Sequence, residues 1–94
     1  MAKRLSDADI QSELGRLQGW TLENNVIRKQ YTLSGFPEAI AFVTRLAFDA
    51  EAADHHPDIL IRYRRVILTY STHSEGGLTE KDVAGAREAD RLAA

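Results

Sequence analysis

The sequence predicts an α+β fold in a single domain, residues 1–94: a four-stranded antiparallel sheet with three helices on one face, in the order α-β-β-α-β-β-α. Three observations carry this. Two stretches of alternating apolar residues each fold back on themselves around a short turn. One long helical stretch lies between them, and a capped helical stretch closes each end of the chain.

Taken in order, Ser6-Asp7-Ala8-Asp9 starts the first helix, with Ser6 as N-cap and acidic residues at the positive end of the helix dipole. Ile10, Leu14 and Leu17 form one apolar stripe on a helix expected to end near Gly19. Trp20 to Glu23 and Val26 to Leu33 read as a hairpin around Asn24-Asn25, because asparagine tolerates positive φ and bonds to its own backbone. Ile27, Tyr31 and Leu33 share one face of the second strand; Arg28, Gln30 and Thr32 share the other.

Ser34-Gly35-Phe36-Pro37 ends that strand and opens the longest helix, expected from Pro37 to His55. Its apolar residues make two stripes, Phe36, Ile40, Val43, Ala47 and Ala50 in one, Ala39, Phe42, Leu46 and Ala53 in the other. A single sheet needs only one stripe, so either the neighbouring helices cover the second or another subunit does. Pro57 keeps His56 out of the helical region. The next strand has Ile59, Ile61 and Tyr63 alternating with Leu60 and Arg62. Arg64-Arg65 reads as a tight connection into Val66 to Thr72, where Val66, Leu68 and Tyr70 alternate. A loop from His73 to Leu78 follows, and Thr79-Glu80-Lys81-Asp82 forms a capping box for the last helix, which carries Val83 and Ala86.

Composition narrows the function classes. Hydrophobic residues make up 44% and charged residues 28%, which supports a folded core rather than disorder. At this size the core is modest and oligomerisation is a natural supplement. Twelve basic against fourteen acidic residues leave a net charge of −2, with no basic field to attract nucleic acid. The absence of cysteine removes disulfides, thiolate catalysis and cysteine-based zinc sites. No apolar run suggests a membrane span or a signal peptide, so a cytoplasmic protein is expected.

All three histidines fall in two places, His55-His56 at the end of the long helix and His73 just past the fourth strand. In an antiparallel pair joined by a short turn, the start of one strand lies beside the end of the other, so the histidines are expected at the same edge of the sheet. Converging imidazoles suit acid–base work near neutral pH. Glu51, Asp54 and Asp58 put negative charge beside the pair, the surroundings a proton-donating imidazole needs. The plainer alternatives are a histidine pair that caps a helix, a loop histidine, an Asp82 that only caps, and a Trp20 that only fills the core. A zinc site is disfavoured, since adjacent histidines rarely face one ion and no His-x-x-x-His spacing is present.

The run Glu51-Ala52-Ala53-Asp54-His55-His56-Pro57, with Tyr63, His73 and Asp82 at fixed distances after it, resembles the signature of the pterin-4a-carbinolamine dehydratases. The resemblance spans roughly residues 6–90 and includes Gly19-Trp20, Phe36, Leu68 to His73, and Gly77 to Asp82. It departs at Asp58-Ile59, where many members carry Glu-Trp, and at Lys81, where arginine is common. It implies dehydration of a 4a-hydroxytetrahydropterin to the quinonoid dihydropterin, with no metal or organic cofactor. It also implies that His55, His56 and His73 are catalytic, with His55 and His73 as the acid–base pair. Asp54, His55, His56, Ser71, Thr72, His73 and Ser74 would bind the pterin, supported by Glu51, Asp82 and Trp20. A homodimer or homotetramer built through the helix 37–53 is further implied. The rival readings are a non-enzymatic assembly or dimerisation protein on the same fold and, more weakly, a metal-dependent hydrolase.

Overall fold

The computed structural model describes residues 3–94. Its elements are α1 (Asp7–Leu14), β1 (Thr21–Glu23), β2 (Val26–Thr32), α2 (Phe36–Ala53), β3 (Asp58–Arg62), β4 (Arg65–Tyr70), a 3-10 turn at His73–Glu75, and α3 (Glu80–Ala93). The four strands form one antiparallel sheet in the order β1-β2-β4-β3, so the two hairpins join through β2 and β4, as expected from the sequence.

The alternation in β2 and β4 sets the buried face. Ile27, Tyr31, Val66, Leu68 and Tyr70 point into the core and meet Ala39, Phe42 and Leu46 of α2 and Ala86 and Ala89 of α3. Register keeps the two faces in step. Ile27 pairs with Tyr70 and Tyr31 with Val66 on the inner side, while Arg28 pairs with Thr69 and Gln30 with Ile67 on the outer side. Where α3 crosses β4 there is no room for a side chain on the helix. A Cβ at Gly85 would lie 2.5 Å from the Tyr70 ring, so glycine sets how closely the two elements approach.

Several boundaries differ from the sequence expectation. α1 stops at Leu14 and is capped at Gly15; Leu17 packs against the core from outside the helix. Trp20 lies just before β1, and β4 ends at Tyr70, leaving Thr72 in an isolated bridge to Gly77. α2 ends at Ala53, not at His55. Asp54 takes the left-handed conformation (φ 52°), and the amides of Asp54 and His55 donate back to Glu51 and Ala50, a Schellman closure that satisfies the last carbonyls and turns His55 out of the helix.

The second hairpin turns at Tyr63-Arg64 rather than Arg64-Arg65, since Arg62 pairs with Arg65 and Tyr63 has φ 56°. In α2, Ala50 belongs to the buried stripe and Ala53 is exposed, the reverse of the predicted split. Of the other stripe, Val43 packs partly against the core while Phe36, Ile40 and Ala47 are exposed, and Phe48, outside both predicted stripes, is exposed at 76%.

Candidate functional site

At the start of α3, Thr79 caps the helix and Asp82, three residues on, closes the capping box: the Thr79 amide donates to Asp82 Oδ2 at 2.9 Å, and the Lys81 amide donates to Thr79 Oγ1 at 3.2 Å. That local duty is the one the sequence assigns to Asp82. The structure gives it a second. Asp82 is fully buried, and its other oxygen, Oδ1, lies 2.6 Å from His55 Nε2. The Thr72 hydroxyl donates to Asp82 Oδ2 at 2.8 Å and stands 2.9 Å from the Thr79 hydroxyl. The contact between an imidazole and a carboxylate is therefore made by the left-handed break after α2 on one side and the cap of α3 on the other.

The His55 ring is packed as well as hydrogen-bonded. It stacks on Tyr70, with centroids 6.0 Å apart and planes 20° from parallel. Tyr70 in turn leans on Trp20 at 5.9 Å. Burial, and then the charges of Asp49 and Asp82, push the Tyr70 phenol well above its ordinary value, so it stays protonated beside the site.

The other residues singled out from the sequence are spread around this core. His56 turns outward to Glu51, at 2.8 Å on the exposed surface. His73 is exposed on the 3-10 turn that follows Thr72, and Ser74 is exposed next to it. His73 lines a hollow of about 190 Å³ with Asn25, Val26, Ser71, Thr72, Gly76 and Gly77. His55 lines a separate hollow of about 110 Å³ between α2 and α3, with Asp49, Tyr70, Lys81 and Glu88 among its walls. The topological expectation thus holds in part. β3 begins beside the end of β4, with Asp58 paired to Thr69, but no hydrogen bond joins any two of the three imidazoles.

Trp20 is a core residue. It is 6% exposed, meets Tyr31 edge-on at 6.3 Å, and donates from Nε1 to Asp90. It reaches His55 only through Tyr70.

The sequence singles out neither Tyr70, which enters only in the alternation of the fourth strand, nor the cluster around Asp90. Asp90 Oδ1 accepts from Lys29 Nζ at 2.8 Å and from the Tyr31 hydroxyl. Lys29 was the available signal, being a charged residue on the inward face of β2 between Ile27 and Tyr31. Among the described residues no group of three or more histidine, aspartate or glutamate side chains is arranged to hold a metal ion. Among the described residues, too, no helix is long and apolar enough to cross a membrane.

The comparisons with known proteins agree with one another. The family model for pterin 4 alpha carbinolamine dehydratase matches residues 3–92. A protein of Roseiflexus sp. (strain RS-1), described as "Putative pterin-4-alpha-carbinolamine dehydratase", is 56% identical over 92 residues, covering 98% of this chain and 99% of that one. A crystal structure from Brucella melitensis, described as a transcriptional coactivator/pterin dehydratase, superposes with a TM-score of 0.95 at 34% identity, covering 98% of this chain and all of that one. A pterin dehydratase-like RuBisCO assembly factor of the alpha-carboxysome shares the fold at a TM-score of 0.65 and 24% identity, covering 79% of this chain and 86% of that one. This chain belongs to the pterin-4a-carbinolamine dehydratase family.

Proposed function

We propose that this protein is a dehydratase that converts a 4a-hydroxytetrahydropterin to the quinonoid dihydropterin and water by histidine acid–base catalysis. The observation that carries this proposal is His55 held against the buried Asp82, with Thr72 on the same carboxylate and His73 next in the chain. Family membership supports the substrate class.

The reaction needs two proton movements. A proton delivered to the 4a-hydroxyl lets that oxygen leave as water, while the lone pair of the adjacent ring nitrogen forms the new double bond. A base then removes a proton from the ring system, so the acid and base together return to their starting state. His55 and His73 are the acid–base pair, and His56, with Asp54, Ser71 and Ser74 on the rim, orients the pterin. Glu51 braces His56, Asp82 braces His55, and Trp20 backs the site through Tyr70. The proton-transfer scheme calls on no cofactor, and the protein works in the cytoplasm.

Turnover of freshly generated 4a-hydroxypterin is the test. His55→Ala and His73→Ala should each lower kcat by about 10²–10⁴-fold, the usual range for loss of an acid–base group. Rates equal to the parent protein would overturn the mechanism.

A second reading, an assembly or coactivator role on the same fold, is favoured by the apolar residues that α2 leaves exposed, Phe36 and Ile40 of the second stripe and Phe48 beside it. The same stripe supports a homodimer or homotetramer through α2. Sedimentation at micromolar concentration should give an oligomer that Phe48→Glu dissociates, and a monomeric parent protein would remove this support.

A further inference from the structure

The three buried polar side chains around the start of α3, Thr72, Thr79 and Asp82, leave only one consistent placement of their protons. The Lys81 amide donates to Thr79 Oγ1, so that oxygen is already an acceptor and its own hydrogen must point elsewhere. The partner within reach is Thr72 Oγ1 at 2.9 Å. Thr72, having accepted there, directs its hydrogen to Asp82 Oδ2 at 2.8 Å, where the Thr79 amide also donates. Reversing the chain would leave the Thr79 hydrogen without an acceptor at a residue that is fully buried, which is the costly way to lose a hydrogen bond.

The carboxylate at the far end of the chain has only acceptors to offer. With two donors on Oδ2, the carboxylate presents Oδ1 as an acceptor to His55 Nε2 at 2.6 Å. The neutral imidazole therefore carries its hydrogen on Nε2, and Nδ1 is the nitrogen left free.

We infer that Thr79 and Thr72 are positioning residues: their hydroxyl relay orients Asp82, holds His55 in the Nε2–H tautomer, and so makes Nδ1 the nitrogen that accepts and returns the proton. This rests on the dehydratase proposal only for what the free nitrogen does; the tautomer itself follows from the hydrogen bonds. It also gives Thr72 a role other than pterin contact. Its residue is 7% exposed and its hydroxyl is engaged internally.

The experiment combines ring-nitrogen NMR of ¹⁵N-histidine-labelled protein with steady-state kinetics, on the parent protein and on Thr72→Val, Thr79→Val and Thr79→Ser. Thr72→Val cuts the relay while leaving the α3 cap intact, so it serves where Thr79→Val weakens folding. The neutral His55 of the parent should show its hydrogen on Nε2. In Thr72→Val that population should fall, with kcat lower by roughly tenfold, the lower end of what losing a group that orients a histidine costs, and KM unchanged. Thr79→Ser should keep both the tautomer and the rate. A parent His55 protonated on Nδ1 overturns the inference. So does a Thr72→Val protein with unaltered tautomer and kcat, or one in which only KM rises. A parent that shows the Nε2–H tautomer, sensitive to Thr72→Val, but turns over no 4a-hydroxypterin upholds the relay and overturns the dehydratase proposal instead.

Discussion

Two aspartates of α3, eight residues apart and near opposite ends of the helix, do the same structural work. Asp82 gathers His55, the Thr72 hydroxyl and the Thr79 amide. Asp90 gathers Lys29, the Tyr31 hydroxyl and the Trp20 indole. Both tie α3 to elements distant in sequence, and both satisfy their oxygens with several donors. They differ in what the donors can do next. The ammonium and the indole can only donate, Lys29 also to the Gln18 carbonyl, and the raised Tyr31 phenol keeps its proton, while Lys29 stands over the Tyr31 ring at 4.7 Å as part of the packing. An imidazole that donates through one nitrogen still has the other to offer. The same carboxylate device is a structural clamp at Asp90 and, on the proposed mechanism, a support for chemistry at Asp82, and the difference lies in the donor.

The sharpest break of this comparison is Asp82→Asn. The Thr79 amide and Thr72 hydroxyl keep the side-chain oxygen, so the new NH₂ faces His55 and forces its hydrogen onto Nδ1. Dehydration should fall by about 10²–10⁴-fold, as when a triad aspartate is replaced and the histidine adopts the wrong tautomer. Turnover and His55 NMR measured together check it, and a normal rate with the altered tautomer would separate Asp82 from the chemistry.

Asp90→Asn asks whether the other clamp is only a clamp. Removing the charge that Lys29 and Tyr31 share should cost about 2–3 kcal/mol. For a domain of this size that is a fall in Tm of roughly 10–20 °C, while kcat of the folded protein stays within about threefold. A large kcat loss at unchanged stability would erase the distinction between the two ends.

The smallest effect is at alkaline pH. Burial first, then the hydrogen bond to Asp90 and its charge, raise the Tyr31 phenol above its ordinary value of 10.0. A group whose folded value is raised contributes fully below the unfolded value and loses that contribution as pH climbs. The protein should therefore lose about 1.4 kcal/mol per pH unit above pH 10 for each such tyrosine. Tyr31→Phe should remove one share of that slope, at a cost of about 1 kcal/mol near neutrality. Denaturant midpoints from pH 8 to 11 check both, and an unchanged alkaline slope would contradict the link to Tyr31.

The two hairpin turns show where sequence reading succeeds and fails. Both turns place their first residue at φ 56°. In the first that residue is Asn24, a type suited to positive φ, and the turn is legible. In the second it is Tyr63, a bulky residue rarely found there, so the turn was placed one residue late. Asp54 repeats the lesson at the end of α2: the proline after His56 announced an end to the helix but not the left-handed closure that came two residues earlier. The exposed stripe of α2 was legible as a surplus of apolar positions, though not which of Ala50 and Ala53 belonged to it.

Order of elements, the capping box at Thr79 and Asp82, and the buried faces of β2 and β4 were all set by residues within a few positions of one another, where propensity and periodicity act, and the family signature was legible as residue types at fixed spacings along the chain. Pairing Asp82 with His55, 27 residues away, and Asp90 with Trp20, 70 away, was decided only when the sheet register and the Gly85–Tyr70 contact brought α3 against β4. Hydrogen bonds between side chains depend on that placement to a fraction of an ångström, and nothing local in the chain encodes it. The sequence by itself named the histidines; the tertiary structure decided which of them the buried carboxylate holds and which nitrogen it leaves free.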